Sequence, residues 1–175
     1  MKKFETRNEM FSSFDKELKI AELGVFEGEF GKFIHENCKP SELFLVDLFS
    51  GVFGSGDKDG NNYRFVNLEF EMEKLKFHFS KNKEVKVVKS STTDFLLGLE
   101  DAYLDIIYID ADHSYSSVFS DLNNCYDKVK HGGFICGHDY CHEAKNAVDD
   151  FCSARGLEIL YVTNDGCPSF CIQKK

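Results

Sequence analysis

The chain has 175 residues, 42% of them apolar, which suffices for a single domain over residues 1–175 with a buried core. A net charge of −9, with lysine and arginine scattered rather than gathered in a stripe, argues against a nucleic-acid backbone as main partner. No apolar run is long enough to cross a bilayer, and Met1-Lys2-Lys3-Phe4-Glu5-Thr6-Arg7 is followed by no signal-peptide core. The expected location is therefore the cytoplasm, with no membrane partner.

In chain order, residues 18–24 read as a short buried strand, and Gly28 opens a helix running to about Asn37. Residues 43–47 are apolar up to Asp47, as in a strand buried on both faces. Residues 49–63 are rich in Gly, Asn, Asp and Ser and read as a long loop. Leu68, Met72, Leu75 and Phe79 then give helical spacing over 65–79. Residues 85–88 form a third strand, 90–94 a polar turn with helix N-cap chemistry, and 104–109 a fourth strand.

A helix is expected over 115–129, with Val118, Leu122, Cys125, Tyr126 and Val129 on one face and His131-Gly132-Gly133 breaking it. Residues 134–137 form a fifth strand, and a helix over 143–154 stops at Gly156. Residues 157–162 and 169–172 are joined through Asn164-Asp165-Gly166, a connection short enough to force antiparallel pairing. Strands alternating with helices imply a parallel, doubly wound sheet, here finished by an antiparallel hairpin. The seven cysteines contain no CxxC pair and read as reduced, small apolar fillers. Cys136, His138, Cys141 and His142 match no structural zinc spacing.

Two of these strands end abruptly in acidic and imidazole side chains. Residues 106–109 run into Asp110-Ala111-Asp112-His113, and residues 134–137 into His138-Asp139-Tyr140. Ligands of an open α/β sheet bind beyond the carboxyl ends of the strands. Asp110, Asp112, His113, His138 and Asp139 should therefore converge there, a catalytic inventory more than a packing one.

Between the first strand and first helix, Gly24 and Gly28 let the backbone turn sharply and approach a ligand. Their spacing is not G-x-G-x-x-G, and Glu27 and Glu29 would repel a pyrophosphate. A cationic ligand without phosphate suits the turn better. Asp47 can accept hydrogen bonds from ribose hydroxyls or cap a loop. Ser91, Thr92 and Asp94 can reach an adenine amino group or cap the following helix.

Three motifs together carry a resemblance: acid-x-Gly-Val-x-x-Gly from Glu22 to Gly28, Asp-x-Asp-His-Ser-Tyr from Asp110, and Gly-Gly-x-x-x-Gly-His-Asp-Tyr from Gly132. From Glu22 to the final hairpin the chain resembles class I S-adenosylmethionine-dependent methyltransferases, in particular methyltransferase family 24, related to metal-dependent sugar and catechol O-methyltransferases. The resemblance implies a Rossmann-like, mostly parallel sheet of seven strands with an antiparallel C-terminal hairpin and helices on both faces. It implies that Glu22, Gly24, Val25, Phe26 and Gly28 hold the methionine part of S-adenosylmethionine, Asp47 and Leu48 its ribose end, and Ser91 its adenine. Asp110 would border the same cofactor.

Methyl transfer to a hydroxyl needs a general base, a divalent ion that stabilises the alkoxide, or both. By resemblance, Asp110, His138 and Asp139 are candidate ligands of magnesium or manganese and His113 the base, with Asp110 alongside it. His138 stands where such enzymes carry an acid, a place that Asp112 would fill as the further ligand. The expected activity is metal-assisted O-methylation of a sugar, glycan or small metabolite, a large acceptor being recognised across a homodimer. The alternatives are a non-catalytic nucleoside- or metal-binding module on the same fold and an NAD-dependent oxidoreductase. The glycine spacing and terminal hairpin speak against the oxidoreductase, and the Asp110, His113, His138 and Asp139 set against the module.

Overall fold

A computed structural model describes residues 2–55 and 64–175. The elements in order are β1 (Lys2–Phe4), α1 (Arg7–Ser12), β2 (Lys19–Leu23), α2 (Glu29–Cys38), β3 (Glu42–Asp47), β4 (Val52–Ser55) and β5 (Arg64–Asn67). They continue with α3 (Leu68–His78), β6 (Val85–Lys89), α4 (Thr92–Leu97), β7 (Leu104–Ile109), α5 (Tyr115–Lys128) and β8 (Val129–Gly137). The last three are α6 (His142–Arg155), β9 (Ile159–Thr163) and β10 (Phe170–Gln173).

The main sheet has eight strands in the order β1-β9-β10-β8-β7-β2-β3-β6. Only β10 runs against its neighbours, pairing antiparallel with both β8 and β9. The expected hairpin is thus present, and the sheet is one strand wider than the seven expected. The extra strand is β1, which pairs parallel with β9, Lys2 opposite Tyr161 and Phe4 opposite Thr163. Three residues beginning Lys-Lys carry no alternation that would announce a strand, and edge strands are commonly short and charged.

The two faces of the sheet are covered separately, as the period of two requires. Ala21, Leu23, Phe44, Val46, Ile107 and Ile109 pack under α4, α5 and α6. Ile20, Leu43, Leu45, Ile106 and Tyr108 face the other way, against α1, α2 and α3. The central strands are apolar in consecutive positions because both faces are buried. Gly156 ends α6 in the left-handed conformation, φ 62°, as expected of a C-terminal glycine.

Two expected boundaries move. The loop expected over 49–63 contains β4, and the helix expected from 65 begins only at Leu68 because Arg64–Asn67 pairs antiparallel with Val52–Ser55. Val66 is buried while Phe65 is exposed, a strand alternation that the helical spacing of the following residues concealed. Asn67 then caps α3, accepting from the Phe70 N–H at 3.2 Å. The remainder of that expected loop, 56–63, lies outside the described residues. Likewise, β8 starts at Val129, ahead of the strand expected at 134–137, and takes in His131-Gly132-Gly133, the residues expected to break the helix before it; a β-carbon on Gly133 would lie 2.6 Å from the Asp105 carbonyl oxygen.

The chain leaves β2 toward β3 and β6 on one side and returns to β7 and β8 on the other, so the switch point lies between the ends of β2 and β7. There the Asp110 N–H donates to the Leu23 carbonyl at 2.7 Å. Gly24 has φ +90°, and a β-carbon on it would sit 2.1 Å from the Asp110 carbonyl oxygen. Gly24→Ala should therefore lower unfolding free energy by at least about 3 kcal/mol in a urea titration, through clash plus strain. Gly156→Ala, at φ +62° with open space around it, should cost only about 1–2 kcal/mol.

Candidate functional site

The turn after β2 is held from the neighbouring strand. Asp47, the last residue of β3, accepts through Oδ2 from the Val25 N–H at 2.8 Å and the Phe26 N–H at 3.0 Å. Its Oδ1 accepts from the Phe49 N–H at 2.8 Å. Asp47 thus ties three backbone donors while lining a cavity. That cavity, about 660 Å³, is also lined by Gly24, Phe26, Leu48, Ser91 and Asp112. Ser91 is at the same time the N-cap of α4, accepting from the Asp94 N–H at 3.0 Å.

Gly28 opens the helix as expected. It is the N-cap of α2 at φ 77°, and a β-carbon there would strike the Leu75 side chain at 2.3 Å, so it seats α2 against α3 and lines neither of the two cavities at the switch point.

A second cavity of about 510 Å³ shares Gly24, Phe26, Phe53, Asp110 and Ala111 with the first. Glu22 and Val25 line it, and Glu22 is 2% exposed, its Oε2 without a hydrogen-bond partner among the described residues. Burial, and secondarily the Asp110 charge, push the Glu22 carboxyl well above the usual carboxylate range. A buried acid left without a donor at a cavity wall is costly unless a ligand supplies one.

On the opposite wall the ends of β7 and β8 bring their polar residues together. His113 Nε2 lies 3.2 Å from Asp139 Oδ2, and His138 Nδ1 lies 3.4 Å from both Asp110 Oδ1 and Asp139 Oδ1. Among the described residues, Asp110, His113 and Asp139 form the group able to hold a metal ion, with one donor atom each, all within 4.8 Å of one another. Two of the expected ligands fall outside that group. His138 bridges the two aspartates, while Asp112 is turned away, its Oδ1 accepting from the Ser114 N–H at 2.7 Å just ahead of α5. The strand β7 ends at Ile109, so Asp112 lies on the turn that leads into α5. Tyr115 and Tyr140 line neither cavity; their hydroxyls donate to Asp150 at 2.9 Å and Asp149 at 2.6 Å.

Arg7 was not anticipated. Its Nη1 donates to Asp110 Oδ2 at 2.9 Å and to the Tyr108 hydroxyl at 3.2 Å, and its guanidinium carbon sits 4.3 Å from the centre of the Phe30 ring. A signal for it existed: Thr6-Arg7-Asn8-Glu9 ahead of Met10 and Phe11 has capping-box spacing. In the structure Thr6 Oγ1 does accept from the Glu9 N–H at 3.2 Å, starting α1 and projecting Arg7 inward.

Burial works to raise the Asp110 carboxyl, but His138 and Arg7 outweigh it and hold it below its ordinary value. The His138 ring is shifted up by its bond to Asp110, against partial burial. A raised histidine contributes stability fully below its unfolded value, about 6.5, and loses it as pH climbs through the higher folded value. The depressed Asp110 contributes above its unfolded value and loses it as pH falls through the folded one. In Asp110→Asn the His138 ring should titrate at lower pH than in the wild type, as followed by ring-proton NMR; an unmoved titration would deny the pair.

Apart from the added edge strand β1, the strand order, with the one reversed strand between β8 and β9, is that of the class I methyltransferase fold. Aeropyrum pernix fibrillarin, solved with natively bound S-adenosyl-L-methionine, matches with a TM-score of 0.63 at 12% identity over 90% of this chain and 67% of its own. The tRNA methyltransferase TrmK of B. subtilis matches with a TM-score of 0.68 at 10% identity over 98% of this chain and 67% of its own. At such identities the likeness is one of fold. The sequence goes further: the profile of a family described as "Methyltransferase domain", methyltransferase family 24, matches residues 21–140, well over half the chain, and the chain belongs to that family. It is also 28% identical, over 139 residues and 78% of its length, to uncharacterized protein R132 of Acanthamoeba polyphaga mimivirus, of which it spans 58%. No helix among the described residues is long and apolar enough to cross a membrane.

Proposed function

We propose that the chain is an S-adenosylmethionine-dependent O-methyltransferase that uses His113 as general base toward a hydroxyl of a sugar, glycan or small metabolite. The observation that carries this reading is the His113–Asp139 pair, 3.2 Å apart, opening onto a cavity continuous with the one that Gly24 and Asp47 shape. An imidazole oriented by a carboxylate is the arrangement that activates a hydroxyl nucleophile.

The residues present fit the cofactor. Glu22 lines the cavity as an acid suited to an ammonium group, and Gly24 leaves the backbone open where a side chain would block it. Asp47 would take a ribose hydroxyl, Leu48 and Phe26 would cover apolar faces, and Ser91 lies at the nucleobase end. A pyrophosphate would instead meet Glu22, Glu27 and Glu29. When bound, S-adenosylmethionine supplies an electrophilic methyl group on a sulfonium, so the protein's work is alignment and proton removal. His113 takes the acceptor proton at an imidazole nitrogen while Asp139 orients the ring. Phe26, Phe30 and Phe53 wall the acceptor side, a lining suited to the face of a small ring. The acidic mouth supports such an acceptor over a nucleic-acid backbone.

A second reading is favoured by the convergence of Asp110, His113 and Asp139. Two carboxylates and an imidazole suit manganese or magnesium, which would lower the acceptor hydroxyl's pKa and leave His113 a ligand. Against it, Arg7 already neutralises Asp110.

Calorimetry should show S-adenosylmethionine binding and NAD not; the reverse would remove the methyltransferase reading. His113→Ala should cut turnover by about 10²–10⁴-fold with cofactor affinity nearly unchanged. Under the base reading the wild type keeps turning over in excess chelator. Loss of turnover in chelator, restored by manganese, would select the metal reading.

A further inference from the structure

Residues 69–78 of α3 read Glu-Phe-Glu-Met-Glu and then Lys-Leu-Lys-Phe-His. Laid against its own reverse, the segment is self-complementary. Glu69 stands against His78, Phe70 against Phe77, Glu71 against Lys76, Met72 against Leu75, and Glu73 against Lys74. Acids early and bases late suit the helix's own dipole, and Lys74–Glu71 at 2.7 Å and Lys76–Glu73 at 3.1 Å pair along it. Those causes account for the charges but not for the phenylalanines. Leu68, Met72 and Leu75 form the buried face of α3, and Phe70 and Phe77 stand on the opposite one, 61% and 83% exposed. Seven residues apart, the two lie two turns from each other on one stripe, with Glu73 and Lys74 between them. Single exposed apolar residues are ordinary, but two large rings aligned on one helix call for a cover.

We propose that this face of α3 is a dimer interface, covered by α3 of a second copy of this chain running antiparallel. The two-fold axis passes between Glu73 and Lys74. Phe70 of each copy then meets Phe77 of the other, giving two ring pairs in the contact. The acidic half of each helix lies along the basic half of its counterpart, and the helix dipoles oppose. A parallel pairing would set acid on acid and base on base. Charge order and ring spacing therefore select a second copy as the occupant. The interface is independent of the chemistry at the crevice, although α3 begins there: Leu68 lines the 660 Å³ cavity.

A contact made by one helix from each copy is small, so the dissociation constant should be on the order of 10–100 µM. Sedimentation velocity of the full chain, from about 1 µM to about 500 µM, covers that range. A monomer at every concentration would overturn the proposal. Phe77→Ser, at an exposed position, should raise the dissociation constant at least about tenfold. Leu97→Ser, 72% exposed on α4, should leave it unchanged. A dimer that Phe77→Ser does not weaken lies on another surface, which refutes the assignment, and so does equal weakening by Leu97→Ser. Orientation is read from charge swaps. Glu69→Lys with Glu73→Lys makes the helix mainly basic, and Lys74→Glu with Lys76→Glu makes it mainly acidic. Each double variant, checked for folding by circular dichroism, should self-associate at least about threefold more weakly than wild type, and an equimolar mixture should recover the dimer. Unchanged self-association in both, or a mixture no stronger than either alone, would remove the antiparallel register. The serine variants decide the surface whether or not the double variants fold.

Discussion

Where Gly24 passes the Asp110 carbonyl, a single added β-carbon would lie 2.1 Å from oxygen, so the ends of β2 and β7 meet as bare backbone. That closeness sets the rest of the site. It lets Asp47 reach across from β3 and gather the Val25 and Phe26 N–H groups, which fixes the turn that walls both cavities. It also puts Glu22, two residues before Gly24, within electrostatic reach of Asp110. A side chain at position 24 would spread the two strands and separate the Asp47 side of the crevice from its acidic side.

Acidic groups outnumber basic ones in the second cavity. Glu22, Glu27, Glu29, Asp110 and Asp139 line it, against Arg7 and two histidines. The charges are managed by different means. Glu27 pairs with Arg64 at 2.5 Å on the surface, Asp110 is clasped by Arg7 and His138, and Asp139 is flanked by both histidines. Glu22 has no hydrogen-bond partner for Oε2 among the described residues, and burial raises its carboxyl well above the usual range. An electrostatic site arranged in this way is polarised before any ligand enters, which is the condition for stabilising charge in a dry pocket.

Much of this was legible in the sequence because burial on two faces writes consecutive apolar residues. Residues 43–47 and 106–109 could be placed as central strands for that reason, and the short Asn164-Asp165-Gly166 connection required the reversed strand. What escaped notice has physical causes too. Lys2–Phe4 is a strand only because β9 offers an open edge, a tertiary fact with no local trace. Arg64–Asn67 is governed by pairing with β4, which overrides the helical spacing that follows it. Asp112 needed the fold: expected as a ligand, it caps a turn. Arg7 had a readable capping box, but nothing in the sequence says where the helix it begins will dock.

That docking has a consequence for how the molecule matures. Arg7 stands next to β1, and β1 is anchored by β9, whose residues lie at the far end of the chain. A folding intermediate holding β2, β3, β6, β7 and β8 would already possess the crevice and its acids, yet lack their guanidinium. Loosening of the β1 edge would therefore act on the charge of the crevice through Arg7 while leaving in place the strand ends that shape it.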